Sequence, residues 1–113
     1  MTVTIYHNPR CSKSRQTLDL LRGRGIEPQV VEYLDRPPTA AELKELLDKL
    51  GLTPRQLLRA KEAKEEGLND PALSDEALIA AMAAHPRTIE RPIVVKGKRA
   101  ALGRPPEKVL EIL

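Results

Sequence analysis

Twice within the first 34 residues the apolar pattern changes period, and that switch restricts the fold more than any other feature of the chain. Val3 and Ile5 alternate with Thr2, Thr4 and Tyr6, the period-two signature of a short strand. His7-Asn8-Pro9-Arg10 breaks it. From Ser12 to Arg24 there is no Pro, and no Gly before Gly23; Leu18 and Leu21 share a face with Ser14, and Gly25 can serve as a left-handed stop after a helix. Val30, Val31, Tyr33 and Leu34, after Pro28, read as a second strand that Arg36-Pro37-Pro38 ends. Strand, helix and strand in so short a run make a βαβ unit, whose crossover is right-handed in nearly every case.

A helical stretch follows. Thr39 and Glu42 have capping-box spacing, Leu43, Leu46, Leu47 and Leu50 form an apolar stripe, and Gly51 stops it. Thr53-Pro54 opens a short helix through Leu57 and Leu58, because proline is well tolerated at a first helical position. Ser74, followed by Asp75 and Glu76, starts another, with Leu78, Ile79 and Met82 inward, and His85-Pro86 ends it. The period then reverts. Ile93-Val94-Val95, a turn at Gly97 and Ala100 to Leu102 describe a β-hairpin, after which Pro105-Pro106 fit the first turn of a terminal helix that turns Val109, Leu110 and Leu113 inward. The expected order is βαβ, helical insert, ββα, an α/β fold, with no repeat or linker dividing residues 1–113 into separate domains.

A chain of 113 residues buries roughly two-thirds of the surface its unfolded form exposes, enough for one core. With no Phe or Trp and only Tyr6 and Tyr33 as aromatics, that core must be aliphatic. The formal charge of +3 comes from interspersed acids and bases with no like-charge block, so charge does not imply nucleic acid. No run approaches the roughly 20 apolar residues of a membrane span, and the N-terminus lacks the pattern of an export signal. One cysteine closes no internal disulfide. A cytoplasmic protein is expected.

That cysteine, Cys11, immediately precedes the first helix, where unpaired N–H groups and the helix dipole favour negative charge. Such a position lowers a thiol's pKa and makes it a nucleophile, and the same N–H groups hold oxyanions. Arg10, Lys13 and Arg15 add positive charge nearby. A lone cysteine is more often a small buried apolar residue. Here the flanking Pro9-Arg10 and Ser12-Lys13-Ser14-Arg15 are too polar for a core strand.

Spacing excludes two relatives of this chemistry. Cysteine phosphatases need five residues between the Cys and its Arg, whereas only three separate Cys11 from Arg15. A dithiol oxidoreductase needs a second cysteine where this chain has Ser14, so Cys-x-x-Ser suits a single thiol working with an external one. His7 and His85 with one cysteine make no zinc cluster, and no metal is expected. His7, four residues before Cys11, either tunes the thiol or is an exposed loop histidine.

The segment Ile5-Tyr6-His7-Asn8-Pro9-Arg10-Cys11-Ser12-Lys13-Ser14-Arg15 resembles the active-site motif of the glutaredoxin-coupled arsenate reductases, the ArsC-like family. Tyr33-Leu34, Pro37-Pro38-Thr39, Leu57-Leu58-Arg59, His85-Pro86, Ile89-Glu90-Arg91-Pro92-Ile93-Val94-Val95 and Gly103-Arg104-Pro105 follow in the family's order, so nearly the whole chain is covered. Many members have Gly-Thr where this chain has Ser12-Lys13.

The resemblance implies a thioredoxin-like fold with a helical insertion and a cis bond before Pro92 facing Cys11. It implies Cys11 as nucleophile and Arg59, Arg91 and Arg104 as oxyanion ligands, with His7, Ser14, Arg15 and Pro92 in support. Without the resemblance, the three arginines read as surface cations. The implied reaction is reduction of arsenate to arsenite, with glutathione as co-substrate, glutaredoxin as partner and no bound cofactor. Two other readings share this sequence: an Spx-type regulator that binds RNA polymerase, whose usual Cys-x-x-Cys switch Ser14 removes, and a glutathione-dependent reductase of another substrate.

Overall fold

The computed structural model describes residues 2–113, in which the contacts divide the chain into two compact units: residues up to Arg36 together with Arg91–Leu113, and residues Pro37–Glu90. The first unit holds β1 (Val3–His7), α1 (Ser12–Gly23), β2 (Gln29–Glu32), β3 (Ile93–Lys96), β4 (Arg99–Leu102) and a 3₁₀ segment, Pro106–Ile112. Its sheet has the order β2-β1-β3-β4. β1 runs parallel to β2, as a βαβ crossover requires, and antiparallel to β3 with Tyr6 opposite Ile93. The hairpin β3–β4 forms as its sequence suggests, with Gly97 at φ 62 in the turn.

Alternation places Val3, Ile5 and His7 on the buried side of β1. Ser14, Thr17, Leu18 and Leu21 form the buried face of α1, and Val3, Ile5, Leu18, Leu21, Val94, Val109 and Ile112 make the aliphatic core. Gly25, at φ 77, follows α1 as the left-handed residue. β2 is shorter than its apolar run. It stops at Glu32, whose carbonyl accepts the N–H groups of Asp35 and Arg36, and as an edge strand it leaves Val30 38% exposed.

The terminal segment corrects one expectation. α-helical spacing would turn Val109, Leu110 and Leu113 inward, but Pro106–Ile112 is a 3₁₀ helix with three residues per turn. Pro106, Val109 and Ile112 therefore line the buried face; Leu113, partly buried, packs against the core as expected, whereas Leu110 is half-buried and Ile112 takes the inward place.

The second unit holds α2 (Ala40–Leu50), α3 (Pro54–Leu57), α4 (Ala60–Glu65), α5 (Asp75–Ala84) and a 3₁₀ turn, Pro86–Thr88. Thr39 and Glu42 close a reciprocal capping box on α2, Thr53 and Gln56 close another on α3, and the Ser74 hydroxyl accepts the Ala77 N–H at 3.1 Å. α4 has no such sequence signal. It starts at Arg59 without a hydroxyl cap, and buries only Ala63. Leu58 and Ile89 form an antiparallel bridge.

Candidate active site

The loop between β1 and α1 is fixed by its own polar groups. The Asn8 side-chain oxygen accepts the Arg10 N–H at 3.0 Å, and the Asn8 carbonyl accepts the Cys11 N–H at 3.0 Å, an Asx turn that delivers the chain into the helix. Ser14 Oγ accepts the Asn8 N–H at 3.0 Å and lies 2.6 Å from His7 Nδ1. A hydroxyl has one proton and two acceptor lone pairs, so with Oγ accepting from Asn8 it pairs with Nδ1 as donor or as acceptor according to the tautomer of the ring. Burial pushes the His7 pKa down; Glu32 opposes this while Arg22 and Arg15 add to it, which agrees with a neutral ring. His7 is thus a buried strand-end residue tied to Ser14, and the exposed-loop alternative falls away.

Cys11 caps α1 with extended backbone angles, φ −95 and ψ 123, and no side-chain oxygen closes the first turn. Burial alone would push its thiol up. The Ser14 N–H, the Arg91 guanidinium by hydrogen bond and by charge, and the Lys13 N–H together outweigh burial and hold the thiol below its ordinary value. The cation that acts on the sulfur therefore comes from the far end of the sequence. Arg15 instead donates to the Pro9 carbonyl at 2.9 Å and helps hold the loop.

The sheet register explains how Arg91 arrives. Tyr6 pairs with Ile93, and extending that antiparallel register past the strand ends sets Arg91 level with Asn8. The Arg91–Pro92 bond is cis, as the resemblance implies; so is Arg104–Pro105, which was not anticipated. Arg104 Nη1 donates to the Arg91 carbonyl at 3.1 Å, and the Gly103 N–H donates to the Pro92 carbonyl at 3.0 Å. Cys11, Arg91, Pro92, Arg104, His7, Ser14 and Arg15 all belong to one unit.

Arg59 belongs to the other unit. Its Nε donates to Glu62 at 2.6 Å and its Nη1 to Glu90 at 2.8 Å, while its backbone N–H donates to the Thr88 carbonyl at 2.9 Å. Burial opposes its charge, but the two carboxylates outweigh that and raise its pKa further, so it stays cationic. Sequence reading missed Glu62 and Glu90. It also missed Asn8 as a structural residue, although Asn-Pro is a turn signal that could have found it.

Among the described residues, no three His, Cys, Asp or Glu side chains group to hold a metal ion, and no helix is long and apolar enough to cross a membrane. An activated thiol beside guanidinium and N–H donors can attack an oxyanion's central atom while its oxygens are held.

Comparison with known proteins points the same way. Residues 6–112 match the ArsC family. A solved arsenate reductase from Vibrio cholerae is 58% identical, with a TM-score of 0.96, and the match covers 100% of this chain and 98% of that one. The Escherichia coli protein YfgD, described as uncharacterized, is 57% identical over 98% of this chain and 96% of its own length. An arsenate reductase of Rhizobium meliloti is 54% identical over 100% of this chain and 82% of its own.

Proposed function

The chain belongs to the ArsC family, and from that premise we infer that it is an arsenate reductase whose nucleophile is Cys11 and whose second thiol is glutathione. The observation that carries the reading is the Cys11 sulfur, at the uncapped N-terminus of α1, with the N–H groups of Ser14 and Lys13 and the Arg91 guanidinium on it. A thiolate meeting a multiply charged tetrahedral anion is repelled unless cations neutralise the pair. Guanidinium does this without losing its proton, and its planar fork can hold two oxygens at once. Arg91 and Arg104 suit that task in the Cys11 unit, and Arg59 is assigned to it by correspondence with the family.

The thiolate attacks arsenic, and one protonated oxygen leaves as water, giving a Cys11 thioester of arsenate. A glutathione thiolate then attacks the Cys11 sulfur: the disulfide bond forms, the sulfur–arsenic bond breaks with its electron pair passing to arsenic, and arsenite departs. Two thiols are oxidised and arsenic is reduced by two electrons. Cys11 is the sole cysteine of the sequence, so the chain cannot close this cycle with its own disulfide. Glutaredoxin attacks the mixed disulfide and restores the Cys11 thiol. This chemistry needs no bound cofactor and belongs in the reducing cytoplasm.

Ser14 supports an enzyme over a redox regulator. Its hydroxyl is committed to His7 and Asn8, leaving the turn with a fixed single thiol in place of a dithiol switch. The test is arsenate-dependent NADPH consumption with glutathione, glutaredoxin and glutathione reductase present. Omitting glutaredoxin should leave Cys11 carrying one glutathione by mass spectrometry. Sustained turnover with thioredoxin as the only thiol source would sink the glutathione route. Reduction of a disulfide substrate with no response to arsenate would make the protein a thiol reductase of another substrate.

A further inference from the structure

The space where a side chain at Gly103 would project is already filled. A Cβ there would lie 2.8 Å from Pro92 Cγ and 3.1 Å from Thr17 Cγ2, and nearer still to the Thr17 hydroxyl. Carbon atoms ordinarily rest about 3.5–4 Å apart. Both neighbours lead to the reactive sulfur. Thr17 Oγ1 donates to the Lys13 carbonyl at 2.8 Å, so it is fastened to the turn whose N–H groups face Cys11. Pro92 follows Arg91, and its carbonyl accepts the Gly103 N–H at 3.0 Å, while the next residue, Arg104, donates to the Arg91 carbonyl at 3.1 Å.

We propose that Gly103 is a positioning residue for the reaction: its missing side chain lets the Arg91–Pro92 segment close on α1 at the separation that puts the Arg91 guanidinium on the Cys11 sulfur. Gly103 touches neither the sulfur nor an oxyanion and acts only through Thr17 and Pro92. An added Cβ forces one of them to give. Movement of Pro92 carries Arg91 from the sulfur, and movement of Thr17 disturbs the turn that presents the Lys13 and Ser14 N–H groups. The inference rests on Cys11 as the nucleophile, but it is read on the sulfur's ionisation without arsenate, so it can fail or hold independently of the substrate assignment.

The experiment is the rate of Cys11 alkylation against pH in folded protein. Gly103→Ala should move the midpoint upward, each unit of that shift costing about tenfold in thiolate at any pH well below the midpoint. Adding Thr17→Ala removes two of the three atoms the new methyl meets, leaving the Pro92 Cγ contact, and should bring the midpoint part of the way back towards that of Thr17→Ala alone. Thr17→Ser with Gly103→Ala keeps the obstructing hydroxyl and should remain shifted. These double variants decide the matter even if Gly103→Ala alone does not fold. A lowered melting temperature with an unmoved midpoint in Gly103→Ala, or equal midpoints in the two double variants, would overturn the proposal and leave Gly103 a packing residue only.

Discussion

The first turns of α1 and α2 face the same shortage and meet it in opposite ways. Each begins with backbone N–H groups that no earlier helical carbonyl can accept. In α2 the chain closes the gap itself: Thr39 Oγ1 accepts the Glu42 N–H at 3.1 Å, and Glu42 accepts the Thr39 N–H at 3.0 Å. In α1 the capping side chain is a thiol, a weak acceptor until it ionises, so the Ser14 and Lys13 N–H groups stabilise its charged form. A closed cap is worth roughly 1 kcal/mol of stability. An open one gives that up and leaves the donors to a thiolate and an incoming anion.

Converting the open turn into a closed one breaks the comparison most sharply. Cys11→Ser supplies the oxygen cap that α1 lacks. Arsenate reduction should disappear, while stability in urea holds or rises by up to about 1 kcal/mol. Full activity in this variant would remove Cys11 from the chemistry.

Arg91→Lys keeps the positive charge but replaces the planar fork with a point donor. Turnover should fall about ten- to a hundredfold, the scale of one charge-assisted hydrogen bond. The sign of the pH effect is fixed: Arg91 favours the thiolate, so weakening it moves the Cys11 alkylation midpoint upward, towards the ordinary thiol range of about 8.5. Wild-type turnover and an unmoved midpoint would mean that the guanidinium is a bystander.

Thr39→Ala addresses the other member of the pair and should have the smallest effect on chemistry. Loss of this cap should cost about 1 kcal/mol of stability, read as a lower denaturation midpoint. The Cys11 alkylation profile should stay as it is in the parent. A displaced profile would show that the two turns are not the independent local devices they resemble.

Local signals in the sequence carried much of the fold. The capping box at Thr39, the proline opening α3 and the serine opening α5 involve atoms within three or four residues of each other, and each formed where its spacing placed it. Misreadings arose where local spacing was ambiguous. Pro106–Ile112 winds as 3₁₀ instead of α, which substitutes Ile112 for Leu110 on the buried face. α4 is too short, and buries too little, to show a helical period. At the site, Cys11 was legible because its position before a helix is itself local. Arg91 and Arg104 carried no local mark; of the acidic partners of Arg59, Glu62 stands at helical i,i+3 spacing and Glu90 lies 31 residues away, with no local signal.

By itself the sequence determined a strand, a helix with a cysteine at its open start, and the capped helices that follow, because backbone hydrogen bonding and side-chain caps act over a few residues. Only the tertiary structure decided which charge meets the sulfur. Arg10, Lys13 and Arg15 are its neighbours along the chain, yet Arg91 hydrogen-bonds it, because β3 pairs antiparallel with β1 and that register carries position 91 to the mouth of α1. A guanidinium's effect falls off with distance in space, and a sheet register, not a sequence interval, sets that distance.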